Sequence, residues 1–158
     1  MSNQRRVQAK VTTEMIKIGK NISKFSTYSC RTTNENELKD IINSRVFMYG
    51  PNCDLNDIDV SLITDMSFLF YDIDFTGDIS RWDVSNVVNM KRMFTFSSFN
   101  GDISEWNVSN VLNMMKMFVL SKFTGDISNW KINKKCDTHD MLFCCDVKEE
   151  FKPKSLQK

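Results

Sequence analysis

The sequence predicts an α/β fold: a short solenoid of about four strand–turn–short-helix repeats, entered through an N-terminal helical cap. Three observations carry this expectation. One phrase is written three times, as FTGDISRWDVSNVVNMKRMF from Phe75, FNGDISEWNVSNVLNMMKMF from Phe99 and FTGDISNWKINKKCDTHDML from Phe123. Phe75, Phe99 and Phe123 are 24 residues apart, as are Gly77, Gly101 and Gly125 and Trp82, Trp106 and Trp130. A fixed period in this range marks stacked supersecondary units. Within each phrase the apolar period then changes from two residues to three or four, and one amphipathic helix precedes the series.

Size and charge set the frame. At 158 residues the chain suits one domain with its own core. Residues 1–33 carry seven Lys/Arg against one acid, residues 34–130 seven against fourteen, and residues 131–158 seven against five. A basic arm therefore precedes an acidic body. The arm (1–33) reads as partly disordered or as a short strand. Its Arg5, Arg6 and Lys10 are the residues by which it would hold nucleic acid or an anionic surface. No aromatic residues interleave those charges as stacking platforms, which favours a solvated leader.

No apolar stretch is long enough to cross a bilayer, and the N-terminus lacks the pattern of a secretory signal. Five cysteines, an odd number in no regular framework, fit reduced thiols. The expected location is the cytoplasm or another reducing intracellular compartment, with the cell surface left for a chain that carries an export leader.

The elements follow in order. Lys24–Cys30 alternates enough for a short strand. Thr32, Thr33 and Asn34 form an N-cap cluster, and Glu35 and Glu37 sit where a helix dipole favours acids. Leu38, Ile41, Ile42, Arg45, Val46 and Tyr49 then make one helical face, ended by Gly50-Pro51. A stacked array exposes apolar surface at its ends, so the segment 34–50 is expected to cap it. The repeats extend over 51–146. Val60-Ser61 aligns with Val84-Ser85 and Met66 with Met90, giving a degenerate first copy, while Met141-Leu142 completes a polar-diluted fourth. Residues 147–158 form a charged tail, expected to fray.

In the copy from Phe99, Gly101-Asp102 is expected to bend the chain through a backbone conformation open to glycine. Residues 103–108 alternate as a strand, and Val111, Met114, Met117 and Phe118 line the inner face of a two-turn helix. Stacking then places Ile on Ile, Trp on Trp, Met on Met and Phe on Phe.

The phrase F-[TN]-G-D-I-S-x-W-[DN]-V-S-N-V-x-N-M-x-x-M-F resembles the repeat of the BspA-like leucine-rich-repeat family, the DUF285 type found in mycoplasma surface proteins and related bacterial and viral proteins. The resemblance spans about Glu35 to Leu142. It implies a leucine-rich-repeat-like solenoid and a recognition scaffold, with no catalytic residue to carry over.

Candidate sites follow from where the copies disagree. Arg81, Glu105 and Asn129 occupy one variable slot and Asp83, Asn107 and Lys131 a second. These six are the expected binding face for a protein partner. Asp78, Asp102 and Asp126 form an acidic column, but an Asp after Gly more often bonds its own turn than a cation. Cys136, His139, Cys144 and Cys145 have spacing poorly suited to zinc. His139 is the one histidine, and no phosphate loop or nucleophile elbow occurs. The expectation is a non-enzymatic interaction module with no cofactor, able to form a homodimer through an open solenoid end.

Overall fold

The computed structural model describes residues 30–32 and 34–157. Two short parallel strands, β1 (Cys30–Arg31) and β2 (Ile58–Asp59), pair Cys30 with Ile58 and Arg31 with Asp59. Thr32 extends the junction, donating both its amide and its hydroxyl to the Asp59 carbonyl. The strand expected over Lys24–Cys30 lies outside the described residues except at Cys30.

Helix α1 spans Glu35–Tyr49. Asn34 caps it, its side chain accepting the Glu37 amide at 2.9 Å. Gly50, at φ 89, ends it by donating to the Val46 carbonyl at 2.9 Å, a position where any other residue is strained. Leu38 and Ile42 are fully buried. Tyr49, at the end of the periodic face, is instead 54% exposed. Arg45 forks onto the Asp57 carboxylate at 3.2 and 2.7 Å, tying the helix to the first copy.

The repeats differ from the expected strand and helix. Over residues 103–108 Ile103, Trp106 and Val108 are buried, Ser104 is half-buried, and Glu105 and Asn107 are exposed. The backbone, however, forms turns closed by Trp106 N–H to Ile103 O and Val111 N–H to Val108 O. Local side-chain bonds explain this. Asp102 accepts the Ser104 amide at 2.9 Å and Asn107 the Ser109 amide at 3.2 Å, so short polar side chains bend the chain before a strand can extend.

The segment expected as a two-turn helix is a ribbon of turns. Amides of Met117, Val119 and Ser121 donate to the carbonyls three residues earlier, on Met114, Lys116 and Phe118. The intervening amides of Met114, Lys116, Phe118 and Leu120 donate outward to Asp137, His139, Met141 and Phe143 of the next copy, at 2.8 to 3.3 Å. Lys116 (φ 58) and Leu120 (φ 54) are left-handed, which excludes a continuous right-handed helix. The same conformation recurs at Phe68 and Asp72, Arg92 and Phe96, and Asp140 and Cys144.

The copies lie side by side in one register. Parallel bridges join Asp54 to Asp78, and Asp65, Asn89, Asn113 and Asp137 in succession. Phe70, Phe94 and Phe118 stack with ring centroids 5.4 Å apart at each step, and Phe75, Phe99 and Phe123 at 6.0 and 6.3 Å. The two columns interleave, Phe94 lying 4.6 Å from Phe99. Each fully buried ring contributes about 1.5–3 kcal/mol by removal from water. A stacked neighbour adds about 0.5–1.5 kcal/mol. The Met stripe of Met90, Met93, Met114 and Met117 is fully buried beside them.

The repeated glycines serve a different purpose from the one expected. Gly77, Gly101 and Gly125 do not have positive φ. A Cβ at Gly77 would meet the Cys53 carbonyl oxygen at 1.9 Å, and at Gly101 or Gly125 the ring of Phe99 or Phe123 at 2.7–2.8 Å. Close approach of the neighbouring copy and the Phe column requires them.

The far end is not frayed. Val147 is buried, a 3₁₀ turn spans Glu149–Phe151, and Ile127 donates to the Phe151 carbonyl at 2.9 Å. Pro153 is buried, and Phe151 and Leu156 pack on the core.

Candidate interaction face

Each copy is bent at three places by an Asp or Asn that accepts the amide two residues on. The first series is Asp54 to Asn56, Asp78 to Ser80, Asp102 to Ser104 and Asp126 to Ser128, all at 2.8–2.9 Å. The second is Asp59 to Ser61, Asp83 to Ser85 and Asn107 to Ser109. The third is Asp65 to Ser67, Asn89 to Lys91, Asn113 to Met115 and Asp137 to His139. At Asp65, Asp78, Asp83 and Asp126 these bonds lower the carboxyl pKa. Asp78 is held down first by the Ser80 amide, Asp126 by the Ser128 amide, and Asp83 by the Ser85 side chain and amide. At Asp65 burial pushes upward, but bonds from Ser67 and Asn89 outweigh it.

Between the first and second series lies the first variable slot. Arg81, Glu105 and Asn129 are exposed, each just before a buried tryptophan and two after a buried isoleucine. Trp82, Trp106 and Trp130 anchor the backbone beneath, donating their indole N–H groups to the carbonyls of Leu55, Ile79 and Ile103 at 2.9, 3.3 and 3.0 Å. Arg81 lies 3.9 Å from Asp54 across the step between copies, with both side chains mostly in solvent, so that pair adds little rigidity. The row has fixed backbones and exposed side chains.

The second slot is built differently. Asp83, Asn107 and Lys131 are all exposed. Asp83 and Asn107 spend their carbonyl-type oxygens on turn closure, and Asn107 also accepts the Ser109 hydroxyl at 2.8 Å. Lysine has no such acceptor. In the last copy Asn133 takes over, accepting the Lys135 amide at 2.9 Å, which frees Lys131 from turn duty. Spacing alone did not separate these roles, although the D-x-S and N-x-S triplets carried the signal.

The other candidates disperse. Cys145 donates to the Phe123 carbonyl at 3.0 Å, Cys136 lies 3.8 Å from the Asp137 carbonyl, and Cys144 is exposed. His139 lies 3.3 Å from Asp140. Burial raises the thiol pKa of Cys53, Cys136 and Cys145. Among the described residues no group of three His, Cys, Asp or Glu is placed to hold a metal ion. Arg5, Arg6 and Lys10 lie outside the described residues. No helix among the described residues is long and apolar enough to cross a membrane.

Sequence reasoning overlooked the outer side of the ribbon of turns, where Phe68, Phe96, Leu120 and Phe143 are exposed. Arg92 lies 5.9 Å over the Phe68 ring, and Tyr71 meets Phe96 edge-on at 5.8 Å. The FxF and VL pairs beside each buried Phe or Met were the available signal.

Compared with known proteins, residues 42–152 match a family model described as "Mycoplasma protein of unknown function, DUF285". No curated protein and no solved structure matches the chain.

Proposed function

The chain belongs to the DUF285 family, and on that premise we propose that it is a non-enzymatic scaffold for protein–protein recognition, built as a BspA-like leucine-rich-repeat solenoid. The solenoid reading rests on the single register of the stacked copies, with its parallel bridges and phenylalanine columns. A stacked array holds side chains at fixed intervals, and its exposed positions vary without disturbing the core.

One observation carries the functional reading. Arg81, Glu105 and Asn129 are exposed at the same point of three consecutive copies, yet carry a cation, an anion and a neutral amide. The groups around them repeat, so chemistry changes along the row while geometry does not. Lys131 is exposed in the second slot of the last copy, two residues from Asn129.

The test is recovery of partners from the native host with Arg81→Glu, Glu105→Arg and Asn129→Lys variants against the unaltered chain. The proposal expects each variant to keep the parent's unfolding midpoint and to lose at least one recovered partner. Equal recovery by all three variants and the parent would reject this face.

A further inference from the structure

The ribbon of turns sorts its side chains in pairs. Met93 with Phe94, and Met117 with Phe118, are fully buried. Lys91, Arg92, Met115 and Lys116 are half-buried on the outer side, with Phe96 48% and Leu120 50% exposed. Contacts between copies join these residues into one face. Arg92 lies over the Phe68 ring, Tyr71 meets Phe96, and Lys116 lies 3.8 Å from Asp140 of the last copy, where Phe143 is exposed. Charge is sorted along the face. Residues 88–98 and 112–122 carry Lys91, Arg92, Lys116 and Lys122 and no acid, whereas the acids of this face, Asp72 and Asp140, stand in the flanking copies. The backbone adds a separate sign. Phe68, Arg92, Phe96, Lys116 and Leu120 are all left-handed, with φ between 54 and 60, a conformation that asparagine or aspartate holds at lower cost. Asp72 and Asp140 sit at equivalent points of the flanking copies, also left-handed. Phe96 and Leu120 thus carry backbone strain and remain half in solvent.

We infer that this face seats on an anionic lipid bilayer. Phe96 and Leu120 enter the boundary between headgroups and acyl chains, and Lys91, Arg92 and Lys116 meet headgroup phosphates. Apolar tips set among long cations, with no acid between them, are complementary to such a surface, since the tips leave water while the cations reach the negative charge. The ribbon holds these groups in ordered columns, because amide–carbonyl bonds of 2.8–3.3 Å keep the copies in one register. Its residues are distinct from the Arg81–Glu105–Asn129 row, so the two readings can fail independently.

The probe is vesicles of phosphatidylcholine and phosphatidylglycerol in equal parts, set against phosphatidylcholine alone, with co-sedimentation of the full chain as the readout. The chain is expected to sediment with the anionic vesicles, to be released as salt rises, and to leave the neutral vesicles unbound. Phe96→Asn with Leu120→Asn suits both left-handed positions, and should weaken binding about fivefold or more without lowering the unfolding midpoint. Arg92→Gln with Lys116→Gln should weaken it about tenfold or more. Asp72→Asn with Asp140→Asn removes the flanking acids and should tighten it. The inference is overturned if the parent ignores anionic vesicles. It is also overturned if either the asparagine pair at Phe96 and Leu120 or the glutamine pair binds as the parent does, which would place the contact on another part of the chain. A free chain that sediments above its monomer mass, and returns to monomer in the Phe96→Asn, Leu120→Asn variant, would overturn it too by making a second copy the occupant.

Discussion

Trp106 donates its indole N–H to the Ile79 carbonyl at 3.3 Å, and the same oxygen closes a turn with the Trp82 amide at 3.2 Å. Each indole therefore fastens onto a carbonyl that already defines the turn of the preceding copy. Trp82 on Leu55 and Trp130 on Ile103 repeat the arrangement. Replacing Trp106 by Phe keeps most of the apolar body and removes the N–H. Since Ile79 O retains one donor, the expected loss is about 0.5–1.5 kcal/mol for the bond, with a further contribution from the smaller ring. Trp106→Ala should cost about 3–5 kcal/mol. Urea unfolding of the two variants measures the difference.

The repeated glycines should rank by what a Cβ would strike. Gly77→Ala meets backbone oxygen and carbon of Cys53 at 1.9 and 2.9 Å, which cannot swing aside. Gly125→Ala meets only the Phe123 ring, at 2.8 Å. Overpacking of this kind costs about 1–3 kcal/mol. Gly77→Ala is expected at or above the top of that range and Gly125→Ala near the bottom. Thermal unfolding of both variants checks the order.

Acid should loosen the turns. Asp65, Asp78, Asp83 and Asp126 all have folded-state pKa values below the ordinary 3.8. A depressed folded pKa contributes stability that is present above the unfolded value and is lost as pH falls through the folded one. The unfolding midpoint of the parent should therefore decline as pH drops below 3.8. Asn closes the same turn without titrating, as Asn107 and Asn113 already do. An Asp78→Asn, Asp83→Asn, Asp126→Asn variant should lose less of its midpoint over that interval. An equal decline would place the acid sensitivity elsewhere.

Leu120 combines exposure with a left-handed backbone, φ 54. Such a conformation costs an ordinary residue about 1–2 kcal/mol and asparagine less. Leu120→Asn should leave the core intact and raise stability by about 0.5–1 kcal/mol, read as a higher unfolding midpoint. A lower midpoint would show that the leucine side chain contributes more than its backbone strain costs.

The columns and the cap were legible in the sequence, for physical reasons that are local. Phe75, Trp82 and Met90 recur because stacked copies need the same filling at the same place, and Asn34 and Gly50 close α1 through bonds within one turn. The repeat's backbone was less legible. Residues 111–118 carry a helix period in burial and 103–108 were read as a strand, but Asp102, Asn107 and Asn113 close turns that exclude both. The reason for Gly77 lies in Cys53, one copy away, and no local pattern records it. At the candidate face the variable slots were found by comparing copies. The same comparison could not tell Arg81, whose side chain lies in solvent 3.9 Å from Asp54, from Asp83, whose oxygen closes a turn.

The proposed partner face runs through Arg81, Glu105 and Asn129. A photo-crosslinking residue placed at Glu105 in the native host measures this directly, with the same residue at exposed Leu62 as the control. The expected result is a discrete crosslinked species from position 105 that is lost when Arg81 is changed to Glu, and none from position 62. An empty position 105, or the same species from both positions, would contradict it.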